Sequence, residues 1–393
     1  MDAPLISAAL IVRNEEKFLA GCLDSLAGFA DEIVIVDTGS TDGTRKIAED
    51  RGMTVHSFPW VDDFSAARNR ALELATGQWI FYIDADERVR GGAENVRRRL
   101  LDPHYLAFQV LLTPKQGVTP YWILRLWRNH PSIRFRGIVH ENMWPSIIEY
   151  QAIHGGKIRN VRLEMDHLGY DGDVAYKNDR YLPLLERALE LDPERIYCWF
   201  HLATIKMEQG KPEEAKKAWR TAMNLVRARS HRQQDDSLPW SELIQFDLTQ
   251  PDLTHPEGTQ PAGTRHGGIA ELLEEALSKF PNDLQFHWLK GRFLLKQKRF
   301  AEAIACFETL AHAGETGNFS HHLSYDLRLL GVQAYENLAT CYFRLAQWKD
   351  AVRYYDLALG REPGRMDLRA KRAVAVSKAA AIPETRTNPD ANQ

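Results

Sequence analysis

The stretch WIFYIDAD, residues 79–86, decides the first half of the chain. A short apolar run with no alternation of polarity is the mark of a strand buried on both faces of a sheet. This one ends abruptly in two carboxylates, Asp84 and Asp86. Side chains alternate along a strand, so the reading places both on one side. At the carboxyl end of a sheet strand they open into the crevice where α/β sheets take ligands. Two carboxylates there suit Mg2+ or Mn2+, held through one or two oxygens while a diphosphate completes the coordination. Towards the start of the chain, ISAALIVR, EIVIVD and MTVHSF are further short apolar runs. The helix-like EEKFLAGCLDSLAGF, DGTRKIAEDRG and DFSAARNRALELA lie between the runs. Such alternation predicts an α/β domain over residues 1–170, a mostly parallel sheet with helices on both faces.

Each run leads into a polar junction. VDTGSTDGT, residues 36–44, follows the second; its glycines and small hydroxyls let the backbone approach a ligand. Thr41 or Asp42 is suited to cap the next helix. The loop has neither GxGxxG nor the GK[ST] ending of a phosphate loop. RNEE, residues 13–16, ends the first run, and DDFSAARN, residues 62–69, opens the helix before WIFYIDAD. A doubly wound sheet puts these junctions on one edge.

Beyond Asp86 come LAFQVLL, YWILRLWR and IRFRGIVHE, which read as β-rich. Arg125, Arg128 and Arg136 in them are candidate cations for a departing diphosphate, and Trp122, Trp127 and Phe135 candidate stacking surfaces for a sugar. From Asn178 onwards the chain reads as helical, and it repeats. Tyr335, Leu338, Ala339, Tyr342, Ala351, Tyr355, Ala358 and Pro363 occupy the offsets of the roughly 34-residue tetratricopeptide pattern. Trp199, Leu202, Ala203, Ala215, Trp219 and Ala222 fill most of them in an earlier copy, and Gly291, Ala303 and Phe307 fewer in a middle one. The expectation is an all-α repeat domain over residues 171–380. A polar insertion at 230–266, read as a long loop, interrupts it, and a polar tail at 381–393, expected to be disordered, follows.

The length of 393 residues leaves room for two or three domains at roughly 150 residues each. Its 50 basic and 53 acidic residues nearly cancel, which argues against a nucleic-acid partner held by phosphate contacts. Cys22, Cys198, Cys306 and Cys341 form no CxxC pair and read as buried thiols of a reducing compartment. The opening lacks the basic and long apolar regions of a signal peptide, and the apolar run at 5–12 is far short of the ~20 residues of a membrane helix. A cytoplasmic protein with no integral membrane segment is expected.

Taken in order, IVRNEE, VDTGSTDGT, DFSAARN and DADE resemble the family 2 glycosyltransferases of GT-A fold, over residues 5–170. The resemblance implies an inverting hexosyltransferase using a nucleotide-sugar donor, a UDP-sugar first, with Mn2+ or Mg2+. It implies donor contacts from Ile11, Arg13, Glu15, Asp37, Asp63 and Arg68 around the nucleoside and ribose, with Asp84 and Ala85 beside them. It makes Asp86 the direct metal ligand, with Asp84 and His167 completing the metal side. Thr38 departs from the pattern, since many members carry a second acidic residue there. His140-Glu141 and DHLGY, residues 166–170, are similar to segments of the subgroup that bears tetratricopeptide repeats. By that likeness Glu141 is the candidate base, with His140 and Asp86 in the catalytic set. Repeat-bearing relatives include bacterial peptide and flagellin glycosyltransferases, so a peptide or protein acceptor, reached through the repeat domain, is expected. Transfer to lipopolysaccharide core or another glycan, and a non-catalytic repeat scaffold, stay open as alternatives, as does a homo-oligomer.

Overall fold

The computed structural model describes residues 4–169, 174–230, 234–250 and 263–381. They fall into two compact units divided after Pro239, with residues 321–324 grouped in the first. In the first unit the order is β1 (Ile6–Val12), α1 (Leu19–Ser25), β2 (Glu32–Asp37), α2 (Thr44–Glu49), β3 (Val55–Ser57), α3 (Phe64–Leu74), β4 (Trp79–Tyr82) and β5 (Glu87–Gly91). There follow α4 (Ala93–Leu100), β6 (Tyr105–Thr113), β7 (Tyr121–Arg128), α5 (Trp144–His154) and β8 (Lys157–His167). Three helices, α6 (Val174–Leu191), α7 (Ile196–Glu208) and α8 (Pro212–Ala228), end it.

The eight strands make one sheet in the order β3-β2-β1-β4-β7-β6-β8-β5. The half from β3 to β4 is parallel, as the alternation predicts. The other half is mixed: β7 is antiparallel to β4 and β6, β6 is parallel to β8, and β5 is antiparallel to β8. Residues 114–120 are too few for a crossover helix, so β6 and β7 can pair only antiparallel. Burial explains the unbroken apolar runs. Ile6, Ala8, Leu10 and Val12 of β1 face a core with Leu19 and Leu23 of α1 and Val96 and Leu100 of α4. Ala9 faces the opposite core with Ala71 and Leu72 of α3 and Ile147 of α5.

Two segments differ from their sequence reading. IRFRGIVHE is no strand: residues 133–141 form a succession of bends closed by one isolated bridge between Arg136 and Asn142. Its apolar residues serve two cores instead of one sheet face. Ile133 and Phe135 drop into the α3–α5 core, and Ile138 and Val139 into another formed with α6 and α7. The polar insertion at 230–266 contains α9 (Leu238–Thr249), with Trp240, Leu243, Ile244 and Leu248 buried. Their helical spacing hides inside a polar composition. Residues 231–233 and 251–262 of the insertion, Tyr170, and the tail beyond 381 lie outside the described residues.

The regular elements of the second unit are all helices among its described residues. It continues from α9 with α10 (Gly263–Lys279), α11 (Leu284–Lys296), α12 (Phe300–Thr316), α13 (Val332–Arg344), α14 (Trp348–Arg361) and α15 (Met366–Ala380). The repeat positions are its core. Tyr335, Leu338 and Ala339 of α13, Ala351, Tyr355 and Ala358 of α14, and Ala303 and Phe307 of α12 are all buried. Ala203 of α7 and Ala215, Trp219 and Ala222 of α8 repeat the arrangement in the first unit. All four cysteines are buried free thiols, and among the described residues no helix is long and apolar enough to cross a membrane. Phe307→Ala removes a fully buried ring at such a position. It should cost about 3–5 kcal/mol in urea unfolding of the full chain; a loss under ~1 kcal/mol would mean that the aromatic repeat position is not a packing anchor.

Candidate active site

The junctions after β1 and β2 are stitched together. Thr41 N–H donates to Asn14 Oδ1 (2.8 Å), Asn14 N–H to Ser40 Oγ (3.0 Å) and Glu15 N–H to Thr44 Oγ1 (2.7 Å). Gly43 N–H reaches Glu16 Oε2 at 2.8 Å. Asn14 holds a positive φ of 58°, a conformation that asparagine tolerates better than most residues. Asp37 is buried and shapes its own loop: Ser40 Oγ donates to its Oδ1 at 2.5 Å and Arg45 Nη1 to its Oδ2 at 3.0 Å. Thr38 is buried as well, its hydroxyl on the Val12 carbonyl. Arg13 is exposed at the strand end, and Ile11 packs against the α3 core.

WIFYIDAD stops being a strand at Tyr82. Residues 84–87 form a turn in which Glu87 N–H donates to the Asp84 carbonyl at 3.0 Å. The period of two does not apply in a turn, and the two carboxylates separate to different partners. Asp84 Oδ1 accepts from Arg68 Nη2 at 2.8 Å, and its Oδ2 lies 3.8 Å from Arg125 Nη1. Burial works against its ionisation, but Arg68 and Arg125 outweigh it and hold the carboxyl below its usual range. Asp86 Oδ2 meets His167 Nε2 at 3.1 Å. The two come together because Glu87, the first residue of β5, pairs with His167, the last of β8. Burial disfavours the charged imidazole, yet the hydrogen bond to Asp86 and the carboxylates around it raise its pKa. A Cβ at Gly169 would overlap the Asp86 carboxylate, so only glycine fits there. Ala85 is buried in the core.

The motif DDFSAARN proves to be a clip. Asp63 caps α3 by accepting from Ala66 N–H at 3.0 Å. Ser65 Oγ donates to the Gly137 carbonyl, and Phe64 N–H to the Ile138 carbonyl at 2.9 Å. Asn69 closes a two-bond clasp on Phe135, at 2.9 and 3.0 Å. Arg68 forks: Nη2 holds Asp84 and Nε holds Glu141. Its guanidinium lies over the rings of Tyr82 (4.7 Å) and Phe135 (5.5 Å). The motif was singled out in the sequence as a polar junction, with Arg68 a donor contact by resemblance; the clasps that Ser65 and Asn69 make were not legible there.

Of the three candidate diphosphate cations, Arg125 is buried, 2.5 Å from Glu87 Oε1 and 3.9 Å above the Tyr82 ring. Arg128 spans the carbonyls of Tyr105 and Asp102, and Arg136 makes a surface pair with Glu149. Trp127 and Phe135 are core residues. The sequence reading missed Glu87, which pairs with Arg125 from the start of β5, burial pushing its pKa up against the pull of that arginine.

Among the described residues no three His, Cys, Asp or Glu side chains converge on one point as a self-sufficient metal cage. Asp86 with His167 fits the alternative, a site with few protein ligands in which substrate phosphates and water supply the rest. A carboxylate with an imidazole is a donor set that suits Mn2+. Asp84, engaged by arginines, stands apart from that pair in its bonding.

Residues 7–153 match the model of glycosyl transferase family 2, and residues 270–318 a tetratricopeptide-repeat model. The chain carries a family 2 glycosyltransferase domain. With its mixed sheet this domain has the GT-A fold, and tetratricopeptide repeats follow it. The chain is 37% identical over 224 residues to a TPR repeat-containing protein of Synechococcus elongatus, covering 54% of this chain and 55% of that one. It is 29% identical over 229 residues to the SPbeta prophage-derived glycosyltransferase SunS of Bacillus subtilis, 54% of this chain and 52% of that one. Over 123 residues, 30% of this chain and 43% of the other, it is 43% identical to the lipopolysaccharide core biosynthesis glycosyltransferase LpsC of Rhizobium meliloti. The first two matches span about half the length of those relatives.

His140 lies among aromatic rings. Its ring stacks on His201 with centroids 4.0 Å apart, and on Tyr181. Burial, with His201 and Arg195 adding to it, pushes the His140 pKa well down, and burial alone pushes His201 down to about 4. Folded pKa values below the unfolded ~6.5 mean that the unfolded chain binds protons first as pH falls. Stability is therefore complete above about pH 6.5 and is lost as pH drops towards 4. His201→Phe keeps the stack and removes one of the two titrating groups. The melting temperature of this variant should fall less between pH 7 and pH 4.5 than that of the wild type. An equal fall in both would show that His201 takes up its proton freely in the folded state.

Proposed function

We propose that the chain is an inverting glycosyltransferase that moves a hexose from a nucleotide-sugar, a UDP-sugar in the first instance, to a peptide or protein side chain with help from a divalent cation. The observation that carries this reading is the convergence, beside the carboxyl ends of the parallel strands, of the Asp86–His167 pair with the Arg68 fork on Asp84 and Glu141. Glu141 is the base: it takes the acceptor proton as the acceptor oxygen or sulfur bonds to the anomeric carbon. The bond from that carbon to the diphosphate oxygen breaks, and its electron pair leaves with the nucleotide. Arg68 keeps Glu141 oriented. Asp86 and His167 would hold the cation, which supplies charge neutralisation for the departing diphosphate. Buried Asp37 and the loop after it act by shaping the nucleoside pocket, since their polar atoms are engaged with one another.

The helical repeats support a polypeptide acceptor, because such arrays present extended surfaces to peptides. The likeness to LpsC favours a second reading, transfer to a lipopolysaccharide core or related glycan. Offering the enzyme UDP-, GDP-, dTDP- and CMP-sugars with Mn2+, against peptides and against core oligosaccharides, tests both readings. Glycan-only transfer would overturn the polypeptide reading, and no nucleotide release from any donor would overturn the enzymatic one.

Two substitutions divide the chemistry. Asp86→Ala should abolish transfer while melting stays close to wild type, because a part-exposed carboxylate in a turn adds little to the core. EDTA should do the same to the wild type; activity that survives both would sink the metal-assisted mechanism. Glu141→Gln keeps shape and hydrogen bonding but accepts no proton. Transfer to a hydroxyl should fall by roughly 10²–10⁴ with donor affinity nearly unchanged, and transfer to a thiol should fall less. A near-normal kcat on a hydroxyl acceptor would take the role of base away from Glu141.

A further inference from the structure

The bends that carry His140 and Glu141 have two sides. The inner side is clipped by Ser65, Arg68 and Asn69 of α3. The outer side is covered by helices that come after the sheet: Ile138 and Val139 are buried against Leu184 and Leu185 of α6 and Cys198 of α7. Just before α7, Arg195 donates from Nη2 to the His140 carbonyl at 2.8 Å. Its guanidinium lies over Gly137, whose φ is 100°, and a Cβ on Gly137 would overlap it. The Arg195 carbonyl accepts from the N–H groups of Cys198 (3.0 Å) and Trp199 (3.2 Å), so its backbone is fixed as the start of the helix.

That hydrogen bond acts on the peptide plane between residues 140 and 141. His140 holds a φ of 48°, a left-handed conformation unusual for a residue with a Cβ. Such a backbone persists only where its surroundings determine it, and here Arg195 and the His201 stack do so. The orientation of this plane sets the direction of the Glu141 Cα–Cβ bond, and thus where its carboxylate stands.

We infer that α6 and α7, helical-repeat elements by sequence, are a wall of the active site, and that Arg195 is a positioning residue for Glu141. The inference rests on the proposal that Glu141 is the base. Through it, the repeat helices bear directly on the reactive carboxylate, so that the transferase domain is complete only with α7.

The test uses the full chain with Arg195→Met and Arg195→Lys, each alone and combined with Glu141→Gln. In Arg195→Met, amide hydrogen exchange at residues 136–142 should quicken at least about tenfold while α1 and α4 on the far core keep wild-type rates. With UDP-glucose and Mn2+ as the probe, UDP release should show kcat reduced roughly 10–100-fold and KM for UDP-glucose within about twofold. Arg195→Lys, which can still donate to the His140 carbonyl, should recover part of both. In the Glu141→Gln background the Arg195 change should cost little more, because the group it positions is already disabled. Wild-type exchange at 136–142 in Arg195→Met overturns the inference, as does a full multiplicative loss in the double variant. A normal kcat in Glu141→Gln overturns the base assignment instead, and the exchange measurement then still reads whether Arg195 holds the bends.

Discussion

A guanidinium buried in the interior must have its charge met, and Arg68 meets it with two carboxylates that come from different parts of the chain. Asp84 lies sixteen residues away and Glu141 seventy-three, and both reach the same side chain. Leaving such a charge with one partner removed costs about 3–5 kcal/mol. The fork therefore constrains position as much as it stabilises: the turn after β4 and the bends after β7 can meet α3 in one arrangement only. The rings of Tyr82 and Phe135 flank the guanidinium and exclude water from it. Arg125 pairs with Glu87 beside it, and its guanidinium lies over the same Tyr82 ring as that of Arg68.

The two clusters of the site differ in their bonding, though Asp84 is no less exposed than Asp86 and His167. Asp84 and Glu141 are committed to an internal cation. Asp86 and His167 bond to each other at the edge of β5 and β8, each side chain about a quarter exposed. A mutual bond between a carboxylate and an imidazole is one that an incoming cation can replace, whereas the Arg68 fork cannot be opened without stranding charge. Under the proposed function that difference suits the two clusters to different work, an exchangeable cation on one hand and the orientation of Glu141 on the other.

The parallel half of the sheet was legible because strands buried on both faces leave unbroken apolar runs, and ISAALIVR, EIVIVD and WIFYID are such runs. The junctions followed from topology alone. The repeat helices were legible because alanine and aromatic positions recur where paired helices touch. Three things were not. The strand period was carried past Tyr82 into a turn, where Asp84 and Asp86 take different partners. IRFRGIVHE looks like a strand because its apolar residues alternate with arginines, but Ile133 and Ile138 belong to different cores. And the union of Arg125 with Glu87, or of Arg195 with the His140 carbonyl, depends on which elements become neighbours in space, of which no local window carries a trace.

The irregular backbone at 133–141 changes where its polar groups find partners. A strand there would hydrogen-bond its carbonyls to neighbours in a ladder. Freed from a ladder, the carbonyls of Phe135, Gly137, Ile138 and His140 accept instead from Asn69, Ser65, Phe64 and Arg195. Three of these donors lie on α3 and one precedes α7, so the segment is held by side chains and helix ends from both flanks. The three bonds from Asn69, Ser65 and Arg195 come from side chains and the one from Phe64 from the main chain, and Glu141 is oriented independently of the pleat. On a strand the Glu141 side chain would stand perpendicular to the sheet; on the clamped bend it turns instead to Arg68 of α3.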